Sequence, residues 1–276
     1  MDRGTRDVTT GTESDHHSVA EPSKRFHRFV AIGDSFTEGL CDYRANESLR
    51  GWADRVALEL STFSPDLRYA NLAVRGRKLG SIATEQVDAA LDLQPDLVSI
   101  GAGANDIIRL ATDVSSLNRL MSATLGRLTD SGAQVSAFTG FDPRVRIPGT
   151  QRHGARAEKY NEAIRRAADR YGATVVDLWD LPRLYEDMMW APDRLHLSSA
   201  GHQLIACAFL DALNVSHSLD TPVSEPDIGP PSARETARWI TRDVLPWAYR
   251  GIRGQSSGDG REPKYPSLIP ARTLES

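Results

Sequence analysis

The chain has 276 residues, 40% of them hydrophobic, and a net charge of −4. That length allows one large domain or two small ones, with enough apolar residues for a sizeable core. Its basic residues are scattered along the chain, which argues against a nucleic-acid-binding protein. Only two cysteines occur, Cys41 and Cys207, too few for a disulfide framework, and this favours a reducing compartment.

The first 25 residues are mostly polar and lack the apolar core of a signal peptide. Their low hydrophobicity predicts a disordered tail over residues 1–25. No run of 18 apolar residues occurs in the chain, so the sequence predicts no membrane span. Together these features lead us to expect a cytoplasmic protein.

Short apolar runs alternate with amphipathic helical patterns between residues 26 and 215. Trp52, Val56 and Leu60, for example, recur every four residues and predict a helix that packs on a sheet. Such alternation is typical of a parallel sheet covered by helices on both faces, so we predict a three-layer α/β/α sandwich for residues 26–215. The five predicted strands are Arg28–Ile32, Leu67–Leu72, Leu97–Ile100, Gln134–Phe138 and Thr174–Leu178.

Residues 216–276 differ in composition from this core. A stretch rich in Pro, Ser, Asp and Gly runs to Pro231 and indicates a linker. Residues 232–250 then form an amphipathic pattern, in which Pro246 is expected to end or kink the helix. The residues from Gly254 onwards predict an irregular tail. We therefore expect a C-terminal helical extension strapped onto the core.

Gly33-Asp34-Ser35 directly follows the first predicted strand. In an open parallel sheet, ligands bind in the crevice outside the carboxyl ends of the strands. A serine hydroxyl at this edge is a candidate nucleophile, although it needs an adjacent base, a group that orients the base and donors for an oxyanion. The plainer interpretation is that Ser35 caps a helix.

Three further polar segments lie at the ends of predicted strands or just before the last core helix: Asn71–Gly76, Gly103–Asp106 and Asp193–His196. The His196 imidazole is suited to take the Ser35 proton, and Asp193 is placed to hold the other ring nitrogen. Gly76 offers an unobstructed backbone amide, and the Asn105 side chain donates without competing as a base. Each segment alone is an ordinary loop, but their joint arrangement favours a catalytic site.

These motifs resemble the four sequence blocks of the SGNH/GDSL hydrolase family, and they occur in the family's order. The resemblance covers roughly residues 26–213. It implies a flavodoxin-like, five-stranded parallel sheet and an enzyme that hydrolyses esters or thioesters. The four blocks are Gly33-Asp34-Ser35, Asn71 with Gly76, Gly103-x-Asn105-Asp106 and Asp193-x-x-His196.

The resemblance also implies a role for each matched residue. Ser35 corresponds to the nucleophile, His196 to the general base and later general acid, and Asp193 to the carboxylate that orients it. The oxyanion hole would consist of the Ser35 and Gly76 backbone amides and the Asn105 side chain. No cofactor is implied, and the remaining histidines lack metal-ligand spacing, so we expect no metal.

The expected substrate is a small-molecule ester. The sequence says less about the acyl and alcohol portions of this ester than about the catalytic residues. Arg144 and Arg146 lie in a long loop and are candidates for binding an acidic or sugar-like alcohol portion, or else belong to a solvated basic surface. Met189 and Trp190 shortly precede Asp193 and are candidates for lining an acyl pocket, or else pack in the core.

Two other functions fit the same residues. An acyltransferase would use the same site with an alcohol acceptor, and a noncatalytic protein would bind an acylated or sugar ligand in the crevice. Labelling by a serine-directed fluorophosphonate separates an enzyme from a binding protein. The sequence makes no prediction about the oligomeric state.

Overall fold

A computed structural model describes residues 25–146, 149–224, 232–246 and 256–275. The strands in these ranges are β1 (Arg28–Gly33), β2 (Arg68–Asn71), β3 (Leu97–Gly101), β4 (Gln134–Phe138), β5 (Thr174–Val176) and β6 (Tyr265–Pro270). They form a six-stranded sheet in the order β5-β4-β3-β1-β2-β6. Strands β1 to β5 are parallel to one another, whereas β6 pairs with β2 in the antiparallel direction.

Helices connect the strands and cover both faces of the sheet. The α-helices are α1 (Ser35–Glu38), α2 (Gly51–Phe63), α3 (Leu79–Ser81), α4 (Val87–Asp92), α5 (Ala104–Ile107), α6 (Val114–Thr129), α7 (Pro143–Arg146), α8 (Gln151–Tyr171), α9 (Ser199–Ala212) and α10 (Ala233–Trp239). The π-helical turns are Ile82–Gln86 and Ile240–Val244, and the 3-10 helices are Pro182–Tyr185, Asp187–Met189 and Ala271–Glu275. Among the described helices, none combines the length and hydrophobicity that crossing a bilayer requires.

The alternation of side chains along the strands divides the core into two layers. In β1, Phe29 and Ala31 belong to the cluster that contains α2 and α9, whereas Val30 and Ile32 belong to the cluster that contains α4, α6 and α8. Each large apolar side chain that is fully buried contributes roughly 1.5–3 kcal/mol. Because successive strand residues point to opposite faces, a buried sheet needs apolar side chains on both sides, and β1 supplies them.

The predicted three-layer α/β/α architecture is confirmed, and all five predicted strands form. The strand count is wrong by one, because residues expected to be an irregular tail form β6 at the edge of the sheet beside β2. Two prolines, Pro266 and Pro270, argued against a strand there. Proline is tolerated on an edge strand, where not every amide needs a partner within the sheet.

The C-terminal extension contains the predicted helix, whose described part includes α10 and the π-helical turn Ile240–Val244. A capping box between Ser232 and Glu235 begins α10, which ends at Trp239 and continues as a π-helical turn. Residues 247–250, where the predicted helix was to end, lie outside the described residues. So do residues 225–231 of the predicted linker and nearly all of the predicted disordered tail, residues 1–24.

Candidate active site

Ser35 lies at the junction of β1 and α1, at the carboxyl edge of the sheet. β1 ends at Gly33, where a side chain would collide with the Gly101 carbonyl and where φ is 152°. Asp34 then caps α1, because its Oδ1 accepts a hydrogen bond from the Phe36 amide at 3.1 Å. Since Asp34 provides the cap, the Ser35 hydroxyl is not used for capping and remains available for chemistry.

The turn that precedes α9, residues Asp193–His196, is called the Asp–His turn below. Its two end residues are joined by a hydrogen bond of 2.7 Å between His196 Nδ1 and Asp193 Oδ2. Asp193 Oδ1 accepts from the backbone amides of Leu195 and His196, each at 3.0 Å. Oδ1 thus fixes the carboxylate, and Oδ2 holds the imidazole in one orientation, in which Nε2 is left to act as a base.

The ionised form of Asp193 is strongly favoured. Burial of the carboxyl opposes ionisation, but the hydrogen bond and charge of His196, together with the two backbone amides, lower the pKa of Asp193 to about 2. A carboxylate that stays negative holds the Nδ1 proton and stabilises the imidazolium that forms when a base accepts a proton.

The serine and the imidazole approach the same region from different elements. Positive charge on His196 favours ionisation of Asp34, the neighbour of Ser35. Cys41, in the loop after α1, places its Sγ 3.8 Å from Asp193 Oδ2. Within the described residues, no hydrogen bond joins the Ser35 hydroxyl to the imidazole. Contacts between a nucleophile and its base are often longer before a substrate is bound.

Gly76 adopts a φ of 73° in the loop after β2, a left-handed conformation that glycine takes without steric cost. This loop is fastened to α1 by an ion pair. Arg75 Nη2 lies 2.5 Å from Glu38 Oε1, and the Arg75 amide donates to Glu38 Oε2 at 2.8 Å. The backbone beside Gly76 is therefore tied to the helix that begins with Ser35.

Asn105 lies beside Asp34, but its amide nitrogen is already used twice. Nδ2 donates to Asp34 Oδ2 at 2.9 Å and to the Arg77 carbonyl at 3.1 Å. A primary amide has two N–H groups, so binding an oxyanion requires that one of them be shared or released. Among the predicted donors, Asn105 is the one that must change partners.

The Asp34 carboxyl is fully enclosed. Burial raises the pKa of Asp34 to about 6, although the Phe36 amide, His196 and Asn105 each favour its ionised form. Asp34 therefore loses its charge in mildly acidic solution.

Two other motif residues, Asn71 and Asp106, hold the loops around the site in place through hydrogen bonds to their backbone. Asn71 is fully buried, donates to the Thr37 carbonyl at 2.8 Å and accepts from the Ala73 amide at 3.1 Å. Asp106 accepts from the Leu79 amide at 3.0 Å. These bonds link α1, the Gly76 loop and α5, because each polar side chain replaces backbone partners that the loops lack.

The two arginines predicted to bind substrate lie on the loop and helix α7. Arg144 is exposed, pairs with Asp142 at 2.8 Å and lies 5.4 Å from the centre of the Trp179 ring. The side chain of Arg146 lies outside the described residues. Arg144 is thus engaged with neighbouring side chains at the surface, which favours the interpretation as a basic surface over substrate binding.

Met189 and Trp190 occupy the core. They are 0% and 7% exposed, and the Trp190 indole N–H donates to the Leu184 carbonyl at 2.7 Å. The Trp190 ring also packs edge-on against Phe141, with 4.6 Å between the ring centres. Their burial favours the packing interpretation over the predicted acyl pocket.

One group of side chains has the composition of a metal site. The ligand atoms of Cys41, Asp193 and His196 lie within 4.8 Å of one another. However, Asp193 and His196 are already hydrogen-bonded to each other, and burial together with the charge of Asp193 raises the pKa of the Cys41 thiol to about 12. A metal would have to displace both protons, so this group is better suited to proton transfer.

Three contacts of the site were missed in the sequence. They are the Cys41 thiol, the Glu38–Arg75 ion pair and Trp239, whose indole Nε1–H donates to the Asp193 carbonyl at 2.6 Å. Glu38 offered a signal, since it lies only three residues after the candidate nucleophile Ser35. The other two residues carry no local signal, because only the tertiary fold brings them to the site.

Several solved structures are similar to this chain. LAE5, an α/β hydrolase enzyme from the metagenome of Lake Arreo in Spain, is 26% identical, with a TM-score of 0.58, over 68% of this chain and 95% of that one. Axe2, an acetylxylan esterase from Geobacillus stearothermophilus, is 18% identical, with a TM-score of 0.58, over 71% and 97%. TesA is also 18% identical, with a TM-score of 0.58, over 68% and 98%. The last two show the fold alone.

A comparison with curated protein sequences finds no match. By contrast, residues 31–204, well over half of the chain, match the GDSL-like Lipase/Acylhydrolase family. This match includes the Gly-Asp-Ser motif and the Asp–His turn. Esterases of this family act on small-molecule substrates. The chain therefore belongs to the GDSL-like lipase/acylhydrolase family and is a serine ester hydrolase.

Proposed function

We propose that the protein hydrolyses carboxylic esters through an acyl-enzyme formed on Ser35. The observation that carries the proposal is the hydrogen bond of 2.7 Å between Asp193 and His196, at the sheet edge where β1 presents Ser35. Structures described as catalytic mutants of Axe2 replace a serine, an aspartate or a histidine by alanine. That description supports the same three residue types in this chain.

In the first half of the reaction, Ser35 Oγ attacks the ester carbonyl carbon while its proton passes to His196 Nε2. The negative charge that develops on the carbonyl oxygen is stabilised by the backbone amides of Ser35 and Gly76. The bond to the alcohol oxygen then breaks, and the alcohol leaves with the proton from His196. Asp193 remains ionised throughout.

In the second half, water gives a proton to His196 and attacks the acyl carbon. The bond to Ser35 Oγ breaks, the acid leaves, and the proton returns to the serine. Asn105 joins as a third oxyanion donor when it gives up its bond to the Arg77 carbonyl or shares its bond to Asp34. One donor of this kind lowers the barrier by about 3 kcal/mol.

We also propose that the acyl group is short. Met189 and Trp190, the residues predicted to line an acyl pocket, are buried in the core. Gly76 is covered on one side, since a methyl group there would collide with Ser256 Oγ. Both features leave little room for a long alkyl chain. The acetylxylan esterase activity in the name of Axe2 is in line with an acyl group such as acetyl.

Replacing the nucleophile tests the mechanism. Ser35→Ala should lower the turnover of 4-nitrophenyl acetate by roughly 10⁴-fold or more, because no covalent intermediate can form. Labelling by a fluorophosphonate should disappear with it. Ser61→Ala is the matched control, since the Ser61 hydroxyl bonds to the Leu58 carbonyl within α2, and it should behave as wild type. Unchanged turnover in Ser35→Ala would refute the mechanism.

A series of 4-nitrophenyl esters tests the substrate. With acetate, butyrate and octanoate, kcat/KM should decrease as the acyl chain lengthens, because the longer chains meet a filled core. The same leaving group in all three esters keeps the intrinsic reactivity comparable. A kcat/KM that rises towards octanoate would contradict the proposal of a short acyl group and leave the role of Ser35 intact.

A further inference from the structure

The C-terminal extension, residues 216–276, contacts the candidate catalytic residues at two separate points. The family match ends at residue 204, so these contacts come from outside the shared region. We propose that the extension positions the catalytic residues of the active site. In this proposal Trp239 positions the Asp–His turn, and residues 256–261, called the serine turn below, hold the Gly76 loop. The inference rests on the proposed acyl-enzyme mechanism.

The Asp–His turn contains a backbone conformation that needs support. Arg194 has a φ of 56°, and a residue other than glycine in this left-handed region costs about 1–2 kcal/mol. The Asp193 side chain holds the turn from within, through two backbone amides. Trp239 holds it from outside, because its indole Nε1–H donates to the Asp193 carbonyl at 2.6 Å.

Helix α10 also contacts the strained residue itself. The Arg194 guanidinium carbon lies 5.4 Å from the centre of the Trp239 ring, within the range of a cation–π interaction. The pKa of Glu235 on the same helix is lowered by its hydrogen bonds to Ser232 and, in addition, by the charge of Arg194. The capping box that joins Ser232 to Glu235 fixes where α10 begins. It therefore also fixes where Trp239 is presented.

The serine turn packs against the other half of the site. A methyl group at Gly76 would collide with Ser256 Oγ and would lie 3.1 Å from Ser257 Oγ. Gly258, on the serine turn, is equally close to the Gly76 loop, since a methyl group at Gly258 would collide with the Arg75 carbonyl. The two glycines thus allow the serine turn and the Gly76 loop to touch backbone to backbone.

Residues 264–274 fasten the extension to the core. The Lys264 side chain is 11% exposed, and its ammonium pairs with Asp54 at 2.8 Å and donates to the Arg50 carbonyl at 2.5 Å. Ala271 and Leu274 are 0% and 6% exposed. These contacts give the extension a fixed position from which it can support the site.

Support of this kind acts on the rate more than on binding. Trp239 is a positioning residue, because its indole N–H binds a main-chain oxygen, the Asp193 carbonyl, and not a reacting atom. A misplacement of about 1 Å in a catalytic group can cost roughly 10²-fold in rate. Loosening the Asp–His turn should therefore lower kcat and leave KM nearly unchanged.

Trp239→Phe in the 276-residue chain tests this, because it keeps an aromatic ring for Arg194 and removes the N–H. We expect kcat to fall by about tenfold, with KM changed by less than about twofold. Fluorophosphonate labelling of Ser35 should slow by the same factor as kcat. Trp239→His, which restores a ring N–H, should recover part of the loss.

Thr241→Ala is the control within the same arm of the extension, since the Thr241 hydroxyl bonds to carbonyls of its own helix at 3.1 and 3.0 Å. It should keep the wild-type kcat. If Trp239→Phe matches Thr241→Ala in kcat and in labelling rate, the positioning role is overturned. If Trp239→Phe does not fold, Ser232→Ala weakens α10 away from the site, and a normal kcat in that variant overturns the role instead.

Gly258→Ala tests the serine turn, because the added methyl group pushes the turn away from the Gly76 loop. We expect kcat to fall by about tenfold while the melting temperature shows that the protein stays folded. Gly80→Ala is the matched control, since a methyl group at Gly80 meets no atom within 4 Å beyond its own helix backbone and chain neighbours. Equal kcat in the two folded variants overturns this part of the proposal.

Ser35→Ala separates this inference from the function on which it rests. If Ser35→Ala keeps full activity, the acyl-enzyme mechanism fails and the extension loses its proposed role with it. If Ser35→Ala is inactive while both Trp239→Phe and Gly258→Ala are fully active, the mechanism stands and the role of the extension is refuted.

Discussion

Asp193 and Asp34 are two carboxyl groups near one imidazole, and their surroundings shift their pKa values in opposite directions. Burial acts to raise the pKa of Asp193, but hydrogen bonds from His196 and the backbone lower it to about 2. Burial raises the pKa of Asp34 to about 6. Such a separation divides the work between two like groups. Asp193 stays charged and holds the imidazole, whereas Asp34 holds Asn105 and loses its charge in mild acid.

Asp193→Asn should lower kcat by about 10⁴-fold, because an amide that donates to Nδ1 selects the wrong tautomer of His196. Ester turnover in a folded variant measures the effect. Asp92→Asn, at an exposed position near the end of α4, makes the same chemical change elsewhere and should leave kcat unchanged. A loss of tenfold or less in Asp193→Asn would show that the carboxylate does not orient the base.

At the scale of secondary-structure elements, local patterns predicted most of the fold. The apolar alternation of β1 to β5 is visible in the sequence, Gly172 ends α8 with a φ of 72°, and Ser198 caps α9 through its bond to the Gly201 amide. The Gly-Asp-Ser motif and the Asp–His turn are equally local. These features were predictable because their physical causes lie within a few neighbouring residues.

β6 and α10 show what local patterns leave out. β6 contains Pro266 and Pro270, and none of its six residues is fully buried. Its partner β2 lies about 200 positions earlier. A proline predicts either a turn or an edge strand. Which of the two forms here depends on the edge of β2, with which β6 pairs. In the sequence, Trp239 likewise looks like an ordinary apolar helix residue. Its hydrogen bond to the Asp193 carbonyl cannot be predicted locally, because the two residues are 46 positions apart. The missing information is tertiary in both cases.

At the scale of the whole molecule, His202 joins α9 to two other parts of the chain. Its Nδ1 accepts from the Trp52 amide at 3.3 Å, and its Nε2 lies 3.2 Å from the Leu40 carbonyl. The ring is therefore neutral, with the proton on Nε2, because a second proton would face the Trp52 N–H. Burial of the ring, which is 1% exposed in the fold, lowers the pKa of His202 to about 4.

This histidine makes the fold sensitive to acid. Below its ordinary pKa of 6.5, the unfolded chain binds a proton that the native state refuses until about pH 4. The free energy of unfolding should therefore decrease as the pH falls from 6.5 to 4, by about 3 kcal/mol from this group. Urea unfolding at several pH values measures the decrease.

His202→Asn keeps an acceptor for the Trp52 amide and should remove this contribution. The raised pKa of Asp34 increases the free energy of unfolding as the pH falls from 6 to 4. This contribution is present in both the wild type and His202→Asn. Subtracting one unfolding curve from the other at each pH therefore isolates His202. A difference that does not vary between pH 6.5 and 4 would contradict the prediction.

The pairing of β2 with β6 has a consequence for the order of events during synthesis. The ribosome releases β2 long before β6, and Arg68 donates to the Leu268 carbonyl across 200 positions. The five parallel strands can collapse first, because contacts between such distant segments form slowly and late. We expect the nascent chain to be a nearly folded but weakly active hydrolase until the segment that contains β6 docks.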